Sequence, residues 1–129
     1  MLRLEVITPT RAFLSTECNS VTLPGIEGDL GILPGHTPIM TALRPGIVAY
    51  NDGSDKYFMV AEGFIEVVDD QVNVICDVAR SASEVDPTGE ASLQAEIKAK
   101  MAALKVEDVE FERLNHELEK SLISQSLLK

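Results

Sequence analysis

In LRLEVIT, near the start of the chain, Leu2, Leu4 and Val6 alternate with Arg3, Glu5 and Ile7. A period of two is the pattern of a half-buried strand. NSVTL and GIVAY are short and rich in β-branched residues, which suit a pleated surface. KYFMVA follows the turn sequence NDGSD, which predicts a hairpin over residues 46–61. FIEVV and QVNVICDV flank Asp69-Asp70 and predict a second hairpin, with Val72, Val74, Cys76 and Val78 on one face. Short strands recur at regular spacing to about residue 83, which predicts a sandwich or a barrel.

Beyond Asp86 the period changes. Leu93, Ile97, Met101 and Leu104 fall on one helical face, and Phe111, Leu114, Leu118 and Leu122 make a second stripe. Asp86-Pro87 is a helix start, with an acceptor at the cap and proline in the first turn. Asp108 is placed to cap the second helix. The join, LKVEDVEF, contains no Gly or Pro. Ile97, Leu104, Phe111 and Leu118 run in sevens straight across it, with Met101 and Leu122 in a companion row interrupted by Asp108 and Asn115. The pattern fits either a two-helix hairpin or one longer helix with a continuous seam. Glu110, Arg113, Glu117 and Lys120 form a polar outer face with ion pairs three residues apart.

A chain of 129 residues, 45% of them hydrophobic, makes one compact domain or a small domain with an appendage. The net charge of −10 argues against nucleic acid, whose binding needs clustered Lys and Arg. It argues equally against adsorption on anionic lipid. No apolar run approaches the roughly 20 residues of a membrane-spanning helix. The N-terminal residues lack the features of a signal peptide, so the expected workplace is the compartment of synthesis. Cys18 and Cys76 form no CxxC pair and are expected as small buried thiols rather than a disulfide or zinc ligands.

The stretch LPGIEGDLGILPGHTPIM, residues 23–40, is dense in turn formers. It is not a phosphate loop. Gly35 is followed by His36 and Thr37 rather than Lys-Ser or Lys-Thr, Leu30 stands where the upstream Gly belongs, and TPIMTALRPGIVAY reads as strand and turn instead of helix. There is no HExxH, no GxSxG and no His cluster. Glu27 and Asp29 are expected as solvated turn residues, not a catalytic pair. Gly25, Gly28, Gly31 and Gly35 with Pro24, Pro34 and Pro38 predict rigid, closely spaced turns. Such turns on a β-scaffold present side chains to a partner, here Glu27, Asp29, His36 and Thr37.

EGDLGILPGHTPIMTALRPG, preceded by LRLEVITPTR and followed by EGFIEV, resembles the epsilon subunit of F-type ATP synthases. The resemblance runs over the whole chain. It implies an N-terminal all-β flattened sandwich over residues 1–84, followed by a C-terminal two-helix antiparallel hairpin over 85–129. The sandwich would bind the gamma subunit and stand on the polar loops of the c-ring, with Glu27, Asp29, His36 and Thr37 facing them. Asp29 would pair with a polar or basic group there, and His36 would donate a hydrogen bond. The hairpin, through Ile97, Met101, Leu104, Phe111, Leu118 and Leu122, would lie folded or extend along gamma toward the alpha/beta catalytic head. The subunit would carry no chemistry or cofactor and would sit peripherally on the cytoplasmic face of the bacterial inner membrane, or the stromal face of a thylakoid.

Two departures matter. ATP-binding relatives carry Ile/Leu-Asp-x-x-Arg-Ala where this chain has Val85-Asp86-Pro87-Thr88-Gly89-Glu90. Asp86 is present, but the phosphate-binding cation is absent and Glu90 would repel phosphate. From Val85 onward six Lys or Arg face nine Asp or Glu, a net −3, so attraction to an acidic segment of beta, and inhibition of hydrolysis through it, is expected to be weak or absent. The competing readings are a free-standing sandwich that binds a small ligand under a helical lid, which requires a deep pocket with convergent polar groups, and a chaperone-like adaptor, which requires exposed apolar helix faces.

Overall fold

The computed structural model describes residues 1–128. Eight strands come first: β1 (Leu2–Thr8), β2 (Arg11–Cys18), β3 (Ser20–Gly25), β4 (Gly28–Ile32), β5 (Ile39–Ala42), β6 (Gly46–Asn51), β7 (Asp55–Val68) and β8 (Gln71–Arg80). A 3₁₀ turn at Ala82–Glu84 leads to α1 (Pro87–Ala102) and α2 (Val109–Ser126). The chain divides into two compact units, Met1–Ser81 and Ala82–Lys129.

The strands follow the order β2-β1-β8-β7-β6-β3-β4, with β5 also paired to β7. All pairings are antiparallel except β1 with β8, where Leu4 lies beside Val72 and Val6 beside Val74. This path folds into a two-layered β-sandwich because β7 and β8 bend together. The first part of β7 pairs with β6 and the second with β5. Between them Glu62 takes φ +62°, and the inward face changes parity from Phe58 and Val60 to Ile65 and Val67. Gly63 lies at the bend because a Cβ there would stand 2.0 Å from the Ile75 carbonyl oxygen. The bend also corrects one expectation: Val72, Val74 and Cys76 face the core, but Val78 is only half-buried and the inward position passes to Ala79.

The core of the sandwich draws only on residues between Leu2 and Ala79. Phe58 anchors it, with Phe13 and Tyr50 packed at ring-centroid distances of 5.2 and 5.9 Å. Cys18 and Cys76 are buried free thiols, as expected. Burial, followed by the neighbouring Asp77 charge, pushes the Cys76 pKa up to about 11. The alternation in β1 holds throughout, with Leu2, Leu4, Val6 and Thr8 buried. Both expected hairpins form. The β7–β8 turn has φ +48° at Asp69 and +62° at Asp70, the two positive values of a type I′ turn.

The helical unit is a hairpin, so the join is a true break. α1 starts on Asp86, whose side chain accepts from the Thr88 N–H at 3.2 Å, with Pro87 in the first turn. α2 follows Asp108, but that side chain does not cap it. It turns back to accept from the Lys105 N–H at 3.0 Å, which closes the loop between the helices without Gly or Pro.

Candidate functional site

Residues 23–40 contain more strand than the turn-rich composition implies. β3 continues through Pro24 to Gly25 and β4 begins at Gly28, so Ile26 and Glu27 form a tight hairpin tip. Glu27 is exposed there. Asp29 is exposed too, yet it has a partner in its own chain: Arg44 Nη2 lies 2.5 Å from its Oδ1. Arg44 Nη1 also donates to the Gly25 carbonyl at 2.6 Å, and its backbone N–H to the Pro24 carbonyl at 3.0 Å. An exposed ion pair contributes little to stability, but three bonds from one residue hold the hairpin at a set angle.

The second half of the stretch turns at Leu33–His36, where the His36 N–H donates to the Leu33 carbonyl at 3.1 Å. Gly35 takes φ +84°, a conformation that favours glycine. Its N–H points at the β7–β8 turn and donates to Asp70 Oδ1 at 2.7 Å. His36 Nδ1 lies 2.6 Å from the Thr37 carbonyl oxygen. A carbonyl only accepts, so Nδ1 carries the proton and Nε2 of the neutral ring is an acceptor. The Nδ1 donor of His36 is therefore engaged within the loop. Thr37 is exposed.

β5 separates the two groups of side chains. Its first residue, Ile39, pairs with Val67 near the β7–β8 turn, and its last, Ala42, accepts from the Ile26 N–H. The hairpin tip with Glu27 thus lies at the last residue of β5, and His36 and Thr37 precede its first, a strand length of about 10 Å. A cavity of about 260 Å³ lined by Gly25, Glu27, Gly28, Asp29, Leu30, Ile39 and Thr41 lies beside β5. Ile26, Leu33 and Met40 are 58, 62 and 66% exposed, which makes the region a mixed apolar and acidic surface. Sequence reasoning missed those three, together with Arg44 and Asp70. The Arg in LRPG lay within the stretch that carried the resemblance, but nothing in one sequence pairs it with Asp29.

In the helical unit Ile97 and Leu114 are buried, and Met101, Leu104, Phe111 and Leu118 are half-buried. Leu93 and Leu122 are 40 and 47% exposed, which corrects the expectation of two complete apolar stripes. The inner face of α2 passes instead from Leu114 to Ser121 and Ser124, both buried. Gln94 donates to Ser121 Oγ at 3.2 Å and to Gln125 Oε1 at 3.1 Å, and Ser121 Oγ donates to Glu90. Hydrogen bonds replace leucine contacts over this part of the pair. Of the expected outer face, Glu110 pairs with Arg113 and Glu117 with Lys120, but Lys120 is largely covered. The Arg113 guanidinium holds the Glu110 carboxyl below its usual range. The Asp86 carboxylate is committed to the helix start, and a Cβ at position 89 would come within 2.7 Å of it.

Among the described residues no helix is long and apolar enough to cross a membrane, and no group of three or more His, Cys, Asp or Glu side chains is placed to hold a metal ion. The architecture is that of a β-sandwich with braced loops followed by a helical hairpin joined through a polar seam. Residues 1–82 match the family model described as ATP synthase, Delta/Epsilon chain, beta-sandwich domain. An ATP synthase epsilon chain of Syntrophomonas wolfei is 35% identical over 98% of this chain and 89% of its own length. The ATP synthase epsilon chain of Lawsonia intracellularis is 39% identical over 83% of this chain and 80% of its own. A chain in the cryo-EM structure of the Euglena gracilis mitochondrial ATP synthase, OSCP/F1/c-ring, has the same fold, with a TM-score of 0.85 at 23% identity over 99% of this chain and 81% of that one. The chain belongs to the ATP synthase delta/epsilon family, as an epsilon chain, a non-catalytic subunit of the synthase.

Proposed function

We propose that the chain is a rotor part of the central stalk, transmitting torque between the proton-driven c-ring and the catalytic head. The observation that carries this reading is the similarity to epsilon chains over both units, up to 98% of the chain. In this reading the sandwich binds gamma, and Glu27, Asp29, His36 and Thr37 face the polar loops of the c-ring. The braces at Arg44 and Asp70 support it, because a surface that transmits force needs loops held in one pose. The subunit rests peripherally on the cytoplasmic face of a bacterial inner membrane, or the stromal face of a thylakoid.

The helical hairpin is the regulatory part, able to reach the alpha/beta head when extended. Its acidic balance, six basic against nine acidic residues, makes inhibition of hydrolysis weak or absent. ATP binding at Asp86 is disfavoured, because that carboxylate caps α1 and Gly89 and Glu90 supply no cation.

The test is reconstitution of the synthase in liposomes with and without this chain. The expected result is stable co-purification with gamma and a rise in ATP-driven proton pumping per ATP hydrolysed. A chain that neither binds gamma nor changes that ratio sinks the reading.

A further inference from the structure

Asp70 holds two separate pieces of the sandwich at one point. Its carbonyl accepts from the Arg3 N–H at 2.9 Å, which fixes the β7–β8 turn against the start of β1. Its φ of +62° is set by the type I′ turn. Its carboxylate accepts from the Gly35 N–H at 2.7 Å, and Gly35 itself takes φ +84°. Both ends of the bond thus lie at left-handed positions of turns. Across it, the turn carrying His36 and Thr37 is fastened to the rigid β7–β8 hairpin, 35 residues away in sequence.

We infer that Asp70 is a positioning residue for docking: its carboxylate holds the Leu33–His36 turn so that His36 and Thr37 meet the partner in one pose. The inference rests on the reading of that turn as a docking surface. With Nδ1 of His36 bonded to Thr37, the atom offered to the partner is Nε2, an acceptor in the neutral ring. The complementary partner group is a hydrogen-bond donor, such as an Arg, Lys, Asn or Gln side chain of a polar loop. Without the tether, the ordering of the turn is charged to binding itself.

Asp70→Gly keeps the left-handed turn and removes the acceptor. Asp70→Asn keeps both, since an amide oxygen accepts and Asn tolerates positive φ. A His36→Ala/Thr37→Ala double variant removes the presented groups. Two quantities are read: amide exchange at Gly35 in the full chain, and the Kd for epsilon-depleted synthase. In Asp70→Gly, exchange at Gly35 and the Kd are both expected to rise roughly fivefold, the scale of one lost hydrogen bond, and Asp70→Asn restores both. Unchanged Gly35 exchange in Asp70→Gly, or failure of Asp70→Asn to restore it, overturns the tether. A weakened double variant beside an unaffected Asp70→Gly Kd overturns the positioning role alone. An unaffected double variant overturns the docking reading on which it stands.

Discussion

Gly63 and Cys76 face each other across β7 and β8, and each shows how tightly the bend is packed. At Gly63 there is no room for a methyl group against the Ile75 carbonyl. At Cys76, burial and the nearby Asp77 charge keep the thiol protonated to about pH 11. Since a free thiol titrates near 8.5, the unfolded chain gives up this proton first. The stabilising contribution of Cys76 is thus complete below about pH 8.5 and is lost as the pH rises toward about 11. Iodoacetamide, which reacts with the thiolate, should leave Cys76 unmodified at pH 8 in the native chain and alkylate it at once in denaturant. Rapid native labelling, read by peptide mass, would contradict this burial. At this scale the sequence was informative about burial and silent about partners. Apolar alternation places Leu2, Leu4 and Val6 inward. The pairs Asp29–Arg44 and Gly35–Asp70 join positions 15 and 35 apart, which no local pattern encodes.

Among elements, those with a local physical signature were legible. Asp86-Pro87 starts α1 as its chemistry requires, and Asp69-Asp70 makes the two-residue turn. β4 was hidden because its residues, GDLGI, lack a β-branched run and acquire strand character only from pairing with β3. Leu122 was misplaced because seven-residue spacing was read as an apolar seam, whereas Ser121 takes the inner position and bonds to Glu90. That seam yields a stability prediction. Ser121→Ala removes a donor to Glu90 and an acceptor for Gln94 at a covered site, and should weaken the helix pair by about 1–3 kcal/mol. Hydrogen exchange of α2 amides should accelerate accordingly while sandwich amides stay protected. Slower exchange in the alanine variant would mean that the polar seam opposes the hairpin.

For the whole molecule, the change of period near Asp86 announced two parts, and the division falls between Ser81 and Ala82. The order of β then α was readable from period alone, whereas the partners came only through family resemblance, because a docking surface has no period. The acidic hairpin gives a prediction at this scale. Deleting residues 87–129 should leave ATP hydrolysis by the reconstituted head nearly unchanged. A several-fold rise on deletion would show that the hairpin restrains the head despite its charge.

The parallel pairing of β1 with β8 also sets an order in time. Leu4 cannot meet Val72 until most of the sandwich has been synthesised, so until then the edge of β1 that β8 will occupy stays open. Closure over such a sequence separation is slow. The nascent chain therefore passes through a period in which the apolar face of Leu2, Leu4 and Val6 is open to aggregation or to chaperone capture, and the arrival of QVNVICDVAR ends it.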